Sequence, residues 1–154
     1  MKNNAYIFFL SSMVIFVIDQ ITKYFIKTHI GLFEVVQVTS FFNIVHVLNT
    51  GSAFGMFKSL GNTFFIVVAL AAMALVTILI IRDGHNRLPF ALVLGGAAGN
   101  IMDRILFGHV IDFLDFHVGR HHWPSFNVAD SALTVGISLL IVMSLLETRA
   151  GNAG

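Results

Sequence analysis

The sequence predicts an all-α integral membrane protein, with four transmembrane helices and a small extracytoplasmic β element between the first and the second. Three observations carry this. Of 154 residues, 56% are hydrophobic and only 11% are charged, whereas soluble domains hold about 45–50% apolar and about 25% charged residues. A water-soluble fold this poor in charge cannot cover its own surface. Apolar runs of the length that crosses a hydrocarbon core, about 20 residues, recur four times, and the ionisable residues within them fall at one depth. A single membrane domain spanning residues 1–154 is the expected organisation. The net charge of +1 with no basic stripe excludes a nucleic-acid binder, and the apolar content excludes disorder. The lack of cysteine removes disulfides, thiolate ligands and cysteine nucleophiles, leaving Asp, His, Ser and Lys for any chemistry.

The first span, residues 5–27, follows Lys2 and is apolar as far as Ile18. No small-x-small cleavage site follows, and helical character continues through Asp19, Gln20, Lys23 and Tyr24, so it reads as a retained span and not as a signal peptide. Residues 33–57 are rich in Val, Phe, Thr and Asn, alternate imperfectly and include Asn49-Thr50-Gly51, which reads as a small sheet outside the membrane. The second span, 62–81, is charge-free and is stopped by Arg82-Asp83-Gly84. The third, 88–107, has Pro89 in its first turn and Gly108 past its end. Residues 108–123 read as a loop carrying Asp112, Asp115 and four of the seven histidines. The fourth span, 127–146, follows Trp123-Pro124-Ser125 and carries Asp130 in its first turn.

Short connections require the spans to alternate in direction. Asp19 and Lys23, Asp103 and Arg104, and Asp130 then approach the same boundary, about 5–12 Å inside it at a rise of 1.5 Å per residue. The β element and the 108–123 loop belong to that side. Each ionisable residue inside a bilayer costs about 2.5–3.5 kcal/mol on insertion scales, so a cluster at one depth implies a function. Tyr24 and Trp123 lie near this boundary and Tyr6 near the other, as interfacial aromatics should. Lys2, Arg82, Arg87 and Arg149 on the far side outnumber Lys27, Lys58 and Arg120. This excess places both termini in the cytoplasm and the cluster near the outer leaflet.

Within the cluster, Asp19 and Lys23 have the i, i+4 spacing of a helical ion pair. Gly95-x-x-x-Gly99 reads as helix packing, and Gly96, Asn100 and Arg104 share one face at spacing four. Asn127, Asp130, Ser131, Thr134 and Ser138 form a polar stripe, with Asn127 as N-cap and Asp130 complementing the helix dipole. Asp112 and Asp115 among His109, His117, His121 and His122 invite a metal reading, but there is no His-Glu-x-x-His and no metal is expected. Nor is there a Gly-x-Ser-x-Gly for a serine nucleophile. Two aspartates in contact would share one proton, giving a base to activate water and an acid to protonate a carbonyl oxygen or leaving amine. That is aspartic peptidase chemistry, and spacing leaves open which of Asp103, Asp112, Asp115 and Asp130 form the pair. A proton-coupled transporter would need polar residues through the full depth, yet the second span has only Thr77 in its inner half. A noncatalytic scaffold would explain the glycines but not the carboxylates.

Five motifs in order resemble the lipoprotein signal peptidases, or signal peptidase II, intramembrane aspartic endopeptidases of the bacterial cytoplasmic membrane. They are Asp19-Gln20-x-x-Lys23, Asn49-Thr50-Gly51-x-Ala53-Phe54, Gly95-Gly96-x-x-Gly99-Asn100-x-x-Asp103-Arg104, Val110-Ile111-Asp112-Phe113 and Phe126-Asn127-x-Ala129-Asp130-Ser131. The resemblance covers most of the chain. It implies a catalytic dyad of Asp112 and Asp130. It also implies that Asn49, Asn100, Arg104 and Asn127 line the site and hold substrate, with Asp19 and Lys23 as a supporting polar pair. The implied substrate is a prolipoprotein whose lipobox cysteine already carries diacylglyceryl, cut just before that cysteine. Membrane lipids surround the enzyme, no cofactor is expected, and a monomer is expected. His121-His122 matches a variable part of the pattern and receives no role.

Overall fold

The computed structural model describes residues 5–51, 60–82 and 87–151. Four helices, α1 (Ala5–His29), α2 (Gly61–Arg82), α3 (Arg87–Phe107) and α4 (Val128–Gly151), are each long and apolar enough to cross a membrane. Four strands complete the described chain: β1 (Val35–Gln37), β2 (Phe42–Asn49), β3 (Val110–Val118) and β4 (His121–His122). Leu10, Ile21, Val67, Leu75 and Leu145 are all exposed, a surface that lipid covers at no cost and water does not tolerate over such an area. The protein is a multi-pass membrane protein.

The central helix is α3, which packs against the other three and buries 56% of its span window, against 6–17% for α1, α2 and α4. Its small residues make this possible. A Cβ on Gly95 would come within 2.6 Å of the Ser12 carbonyl oxygen of α1, and one on Gly96 within 2.5 Å of the Ala129 carbonyl oxygen of α4. Backbones therefore meet backbones, the close approach on which association in lipid depends. Toward one end, Phe90, Val93 and Leu94 pack with Val76, Phe8 and Leu140. At the other end, Ile26 of α1 packs under Ile111 and Phe113 of β3.

The sheet corrects the reading of residues 108–123 as a loop. Order β1-β2-β3-β4, antiparallel throughout, joins strands from two separate stretches of chain. Gly108, at φ +77, caps α3 through its N–H to the Arg104 carbonyl at 3.1 Å and turns the chain directly into β3. Val110 to Phe113 are all buried, so this strand lacks the alternation by which half-exposed strands are recognised. Its partner β2 is distant in sequence, and the pairing left no local signal. Between the pairs Ile44↔Leu114 and Val47↔Asp112, β2 carries one extra residue, a bulge that re-aims its last side chains. Of the β element expected over 33–57, residues 52–57 lie outside the described residues.

Candidate active site

The first turn of α4 organises the site. Asn127 is its N-cap: the Asp130 N–H donates to Asn127 Oδ1 at 2.8 Å, and the Asn127 N–H donates to Asp130 Oδ2 at 3.3 Å. This reciprocal capping satisfies two otherwise orphaned backbone donors. A backbone N–H can meet only the oxygen of an amide, so the Asn127 NH2 must face the other way, where it donates to Asp112 Oδ1 at 2.8 Å. Asn127 thereby bridges Asp112 of β3 and Asp130 of α4.

A second amide is held in the same manner. The Gly51 N–H donates to Asn49 Oδ1 at 2.9 Å, which turns the Asn49 NH2 onto Asp112 Oδ2 at 2.9 Å. Asn49 reaches it diagonally, because Val47 is the direct partner of Asp112 and Asn49 that of Val110. Asn100 of α3 donates to Asp130 Oδ1 at 2.7 Å. Each carboxylate thus accepts two N–H donors.

Asp112 is 2% exposed. Burial first, and then the neighbouring Asp130 charge, push its carboxyl up to about 7, against the opposing pull of the Asn49 and Asn127 hydrogen bonds and the Lys23 charge. A carboxyl that titrates near neutrality is placed to gain and lose a proton in acid–base catalysis. Asp130 is half-buried and lines a cavity of about 530 Å³ together with Asn49, Asn100 and Arg104. The remaining wall includes Val110, Trp123, Phe126 and Leu133, so polar groups converge in an otherwise apolar cleft.

Arg104, near the end of α3, holds the end of the sheet against the bundle. Its Nη2 donates to the Gly51 carbonyl at 2.6 Å, and its guanidinium sits 4.5 Å from the centroid of the Phe65 ring. Its Nη1 is buried and has no hydrogen-bond partner among the described residues.

The Asp19–Lys23 pair is present at 2.8 Å, but it is part of a larger unit: Lys23 Nζ also lies 3.0 Å from Asp103 Oδ2. Gln20 donates to both carboxylates, at 3.2 and 3.1 Å. Gln20 is a supporting residue that sequence reasoning did not assign, and Asp103, open on spacing to an interhelix ion pair, finds its partner in Lys23 of α1. The available signal was the chemistry of Lys23, since an ammonium has three N–H groups to satisfy and one carboxylate does not do so.

Asp115 stands apart. Three residues beyond Asp112 on a strand, it faces the opposite side and accepts from its cross-strand partner Asn43 at 2.8 Å, with His122 Nδ1 at 2.9 Å. Burial pushes its carboxyl up, but the Asn43 and His122 hydrogen bonds outweigh this and hold it below the usual carboxylate value. Among the described residues, no three His, Asp or Glu side chains come together in a way that could hold a metal ion.

A four-span membrane protein in which one asparagine joins the buried Asp112 to Asp130, which lines a cleft at one end of the bundle, has the architecture expected of an intramembrane hydrolase of aspartic type. Comparison with known proteins narrows this. The family model for signal peptidase (SPase) II matches residues 11–146. The lipoprotein signal peptidase of Thermodesulfovibrio yellowstonii is 45% identical over 136 residues, covering 88% of this chain and 92% of that protein. The Burkholderia thailandensis lipoprotein signal peptidase is 44% identical over 147 residues, covering 92% and 89%. A bacterial membrane enzyme solved by the in meso method superposes with a TM-score of 0.84 at 33% identity, over 90% of this chain and 87% of that one. The chain belongs to the signal peptidase II family and is an aspartic endopeptidase, which sets aside the transporter and scaffold alternatives.

Proposed function

We propose that this protein removes signal peptides from bacterial prolipoproteins whose lipobox cysteine carries diacylglyceryl, cutting just before that cysteine, with Asp112 and Asp130 as the catalytic pair. The observation that carries this reading is the Asn127 bridge, whose NH2 holds Asp112 and whose oxygen holds the Asp130 backbone N–H. With one proton shared between the carboxyls, the ionised one takes a proton from water as it attacks the scissile carbonyl, and the protonated one donates to the carbonyl oxygen. Collapse of the tetrahedral intermediate returns a proton to the leaving amine and restores the pair. Asn49, Asn100 and Arg104, which line the cleft, hold the substrate backbone. Asp19 and Lys23 support the site from within.

In the membrane the enzyme acts as a single domain and a monomer without a cofactor. Both termini are cytoplasmic and the site lies near the outer leaflet of the inner membrane, where a signal helix and two acyl chains enter from the lipid. The test is a gel-shift assay of a purified diacylglyceryl prolipoprotein with wild type, Asp112→Asn and Asp130→Asn, each with and without chelator. Loss in both folded variants, with chelator-insensitive wild-type cleavage, is expected. Cleavage retained by either variant overturns this dyad.

A further inference from the structure

Three asparagine amides touch the two aspartates of the site, and each presents its NH2. An amide is nearly symmetric in shape, so the end that meets a carboxylate is decided by what lies at its other end. For Asn49 and Asn127 that partner is a backbone N–H, of Gly51 and Asp130. Among the described residues, Asn100 has no such backbone donor. Its oxygen faces Lys23 Nζ at 3.0 Å and the Asn127 NH2 at 3.2 Å. An ammonium has donors only, so the atom of Asn100 that faces Lys23 must be oxygen and the atom that faces Asp130 must be nitrogen.

Lys23 is itself fully committed. Its three N–H groups meet Asp19 Oδ2 at 2.8 Å, Asp103 Oδ2 at 3.0 Å and Asn100 Oδ1 at 3.0 Å, and the side chain is 2% exposed. The two carboxylates reach further. Asp19 Oδ1 accepts from the Ala129 N–H at 2.9 Å, one residue before Asp130. Asp103 Oδ2 accepts from the Ile111 N–H at 3.2 Å, one residue before Asp112. From one ammonium, three arms thus lead to Asp130 through an amide, to the backbone beside Asp130, and to the backbone beside Asp112.

We propose that Lys23 is a positioning residue of the reaction: its ammonium, held by Asp19 and Asp103, locks the Asn100 amide with its NH2 on Asp130 and thereby sets the hydrogen-bond polarity of the catalytic pair. This deepens the reading of Asp112 and Asp130 as that pair and rests on it. Without the ammonium, the longer contact to the Asn127 NH2 at 3.2 Å alone keeps the Asn100 oxygen turned away from Asp130, and the amide populates the turned orientation. Two acceptors then face one another unless Asp130 is protonated, so the pair retains a second proton, and the singly protonated form needed for turnover is reached only at higher pH.

The test uses two variants in detergent micelles, each checked as monodisperse and folded, with the diacylglyceryl prolipoprotein as substrate. Lys23→Met/Asp19→Asn removes one charge of each sign, so the buried cluster keeps its net charge. Asn100→Asp leaves Lys23 a partner while presenting an oxygen to Asp130, imitating the turned amide. In both, kcat is expected to fall about 10–100-fold with KM within about threefold, and the acid-side midpoint of the pH profile to rise by about one unit. In the charge-balanced double variant, a purely structural prop would lower the yield of folded enzyme and leave that midpoint in place, whereas in Asn100→Asp the added carboxylate charge contributes to the rise. An unshifted midpoint in Asn100→Asp overturns the assignment even if the double variant does not fold. Wild-type cleavage with unshifted variants overturns this assignment alone, whereas a wild type that does not cleave overturns the proposed activity and this assignment with it.

Discussion

Replacing Asp112 with asparagine is expected to abolish cleavage and, relative to wild type, to stabilise the fold increasingly as pH rises. The carboxyl is 2% exposed and pushed from 3.8 up to about 7, by burial first and then by the Asp130 charge. Its folded value lies above its unfolded value, so between the two the folded state binds more protons and stability falls as pH rises. Between pH 5 and pH 8 the penalty grows over roughly two units, at about 1.4 kcal/mol per unit, or about 3 kcal/mol in total. An amide at position 112 does not titrate and escapes that loss. It has one oxygen for two NH2 donors, those of Asn49 and Asn127, which leaves one donor facing another at a cost of about 1–3 kcal/mol. That cost is independent of pH, so the slope separates the two effects. The assay is thermal melting of wild type and Asp112→Asn in micelles at pH 5 and pH 8. The difference in Tm should move in favour of the variant by about 6–10 °C. A difference that stays flat across this range would refute the raised Asp112 carboxyl.

Three further outcomes are expected. Gly96→Ala sets a methyl 2.5 Å from the Ala129 carbonyl oxygen and forces α4 from α3, costing about 1–3 kcal/mol; melting should show the loss, and cleavage should drop as the Asn100–Asp130 contact opens. Asn127→Ala removes the cap of α4, worth about 1 kcal/mol, together with one donor to Asp112; Michaelis analysis should show kcat lowered about 100-fold with little change in KM. Asp115→Asn should leave cleavage within about twofold, since its partners Asn43 and His122 lie on the face of the sheet away from Asp112 and loss of a contact outside the site rarely reaches the transition state. Because the Asp115 carboxyl lies below its ordinary value, its stabilisation is present above the unfolded value and fades as pH falls through the folded one. Melting from pH 7 to pH 3 should therefore show the variant less stable at first and the difference closing.

The four spans were legible because bilayer thickness imposes both a length and a composition on any crossing helix. Residues 88–107 and 62–81 were expected, and α3 and α2 occupy Arg87–Phe107 and Gly61–Arg82. The Asn127 cap was legible for a related reason: it is made within one turn, and local geometry follows local sequence. Gly95 and Gly96 announced close packing, though not which helices would meet there.

The sheet was half legible. Residues 33–57 carried β-branched and turn residues, but Val110-Ile111-Asp112-Phe113 is covered on both faces and shows no period of two. With β3 unread, there was no means to see that Asp112 and Asp115 face opposite ways. Spacing placed five charged residues at one membrane boundary. It did not show that Asp103 serves Lys23, that Asp115 serves Asn43 and His122, or that Asn127 joins Asp112 to Asp130. The sequence by itself determined how often the chain crosses the membrane and at what depth its charges lie, since both follow from rise per residue and the cost of burial. Only the tertiary structure decided which aspartate meets which partner. Apart from Asp115 and His122, seven positions apart within one hairpin, those contacts reach across separations from 15 to 110 positions, and a hydrogen bond formed across such a separation leaves no trace in the pattern of either segment.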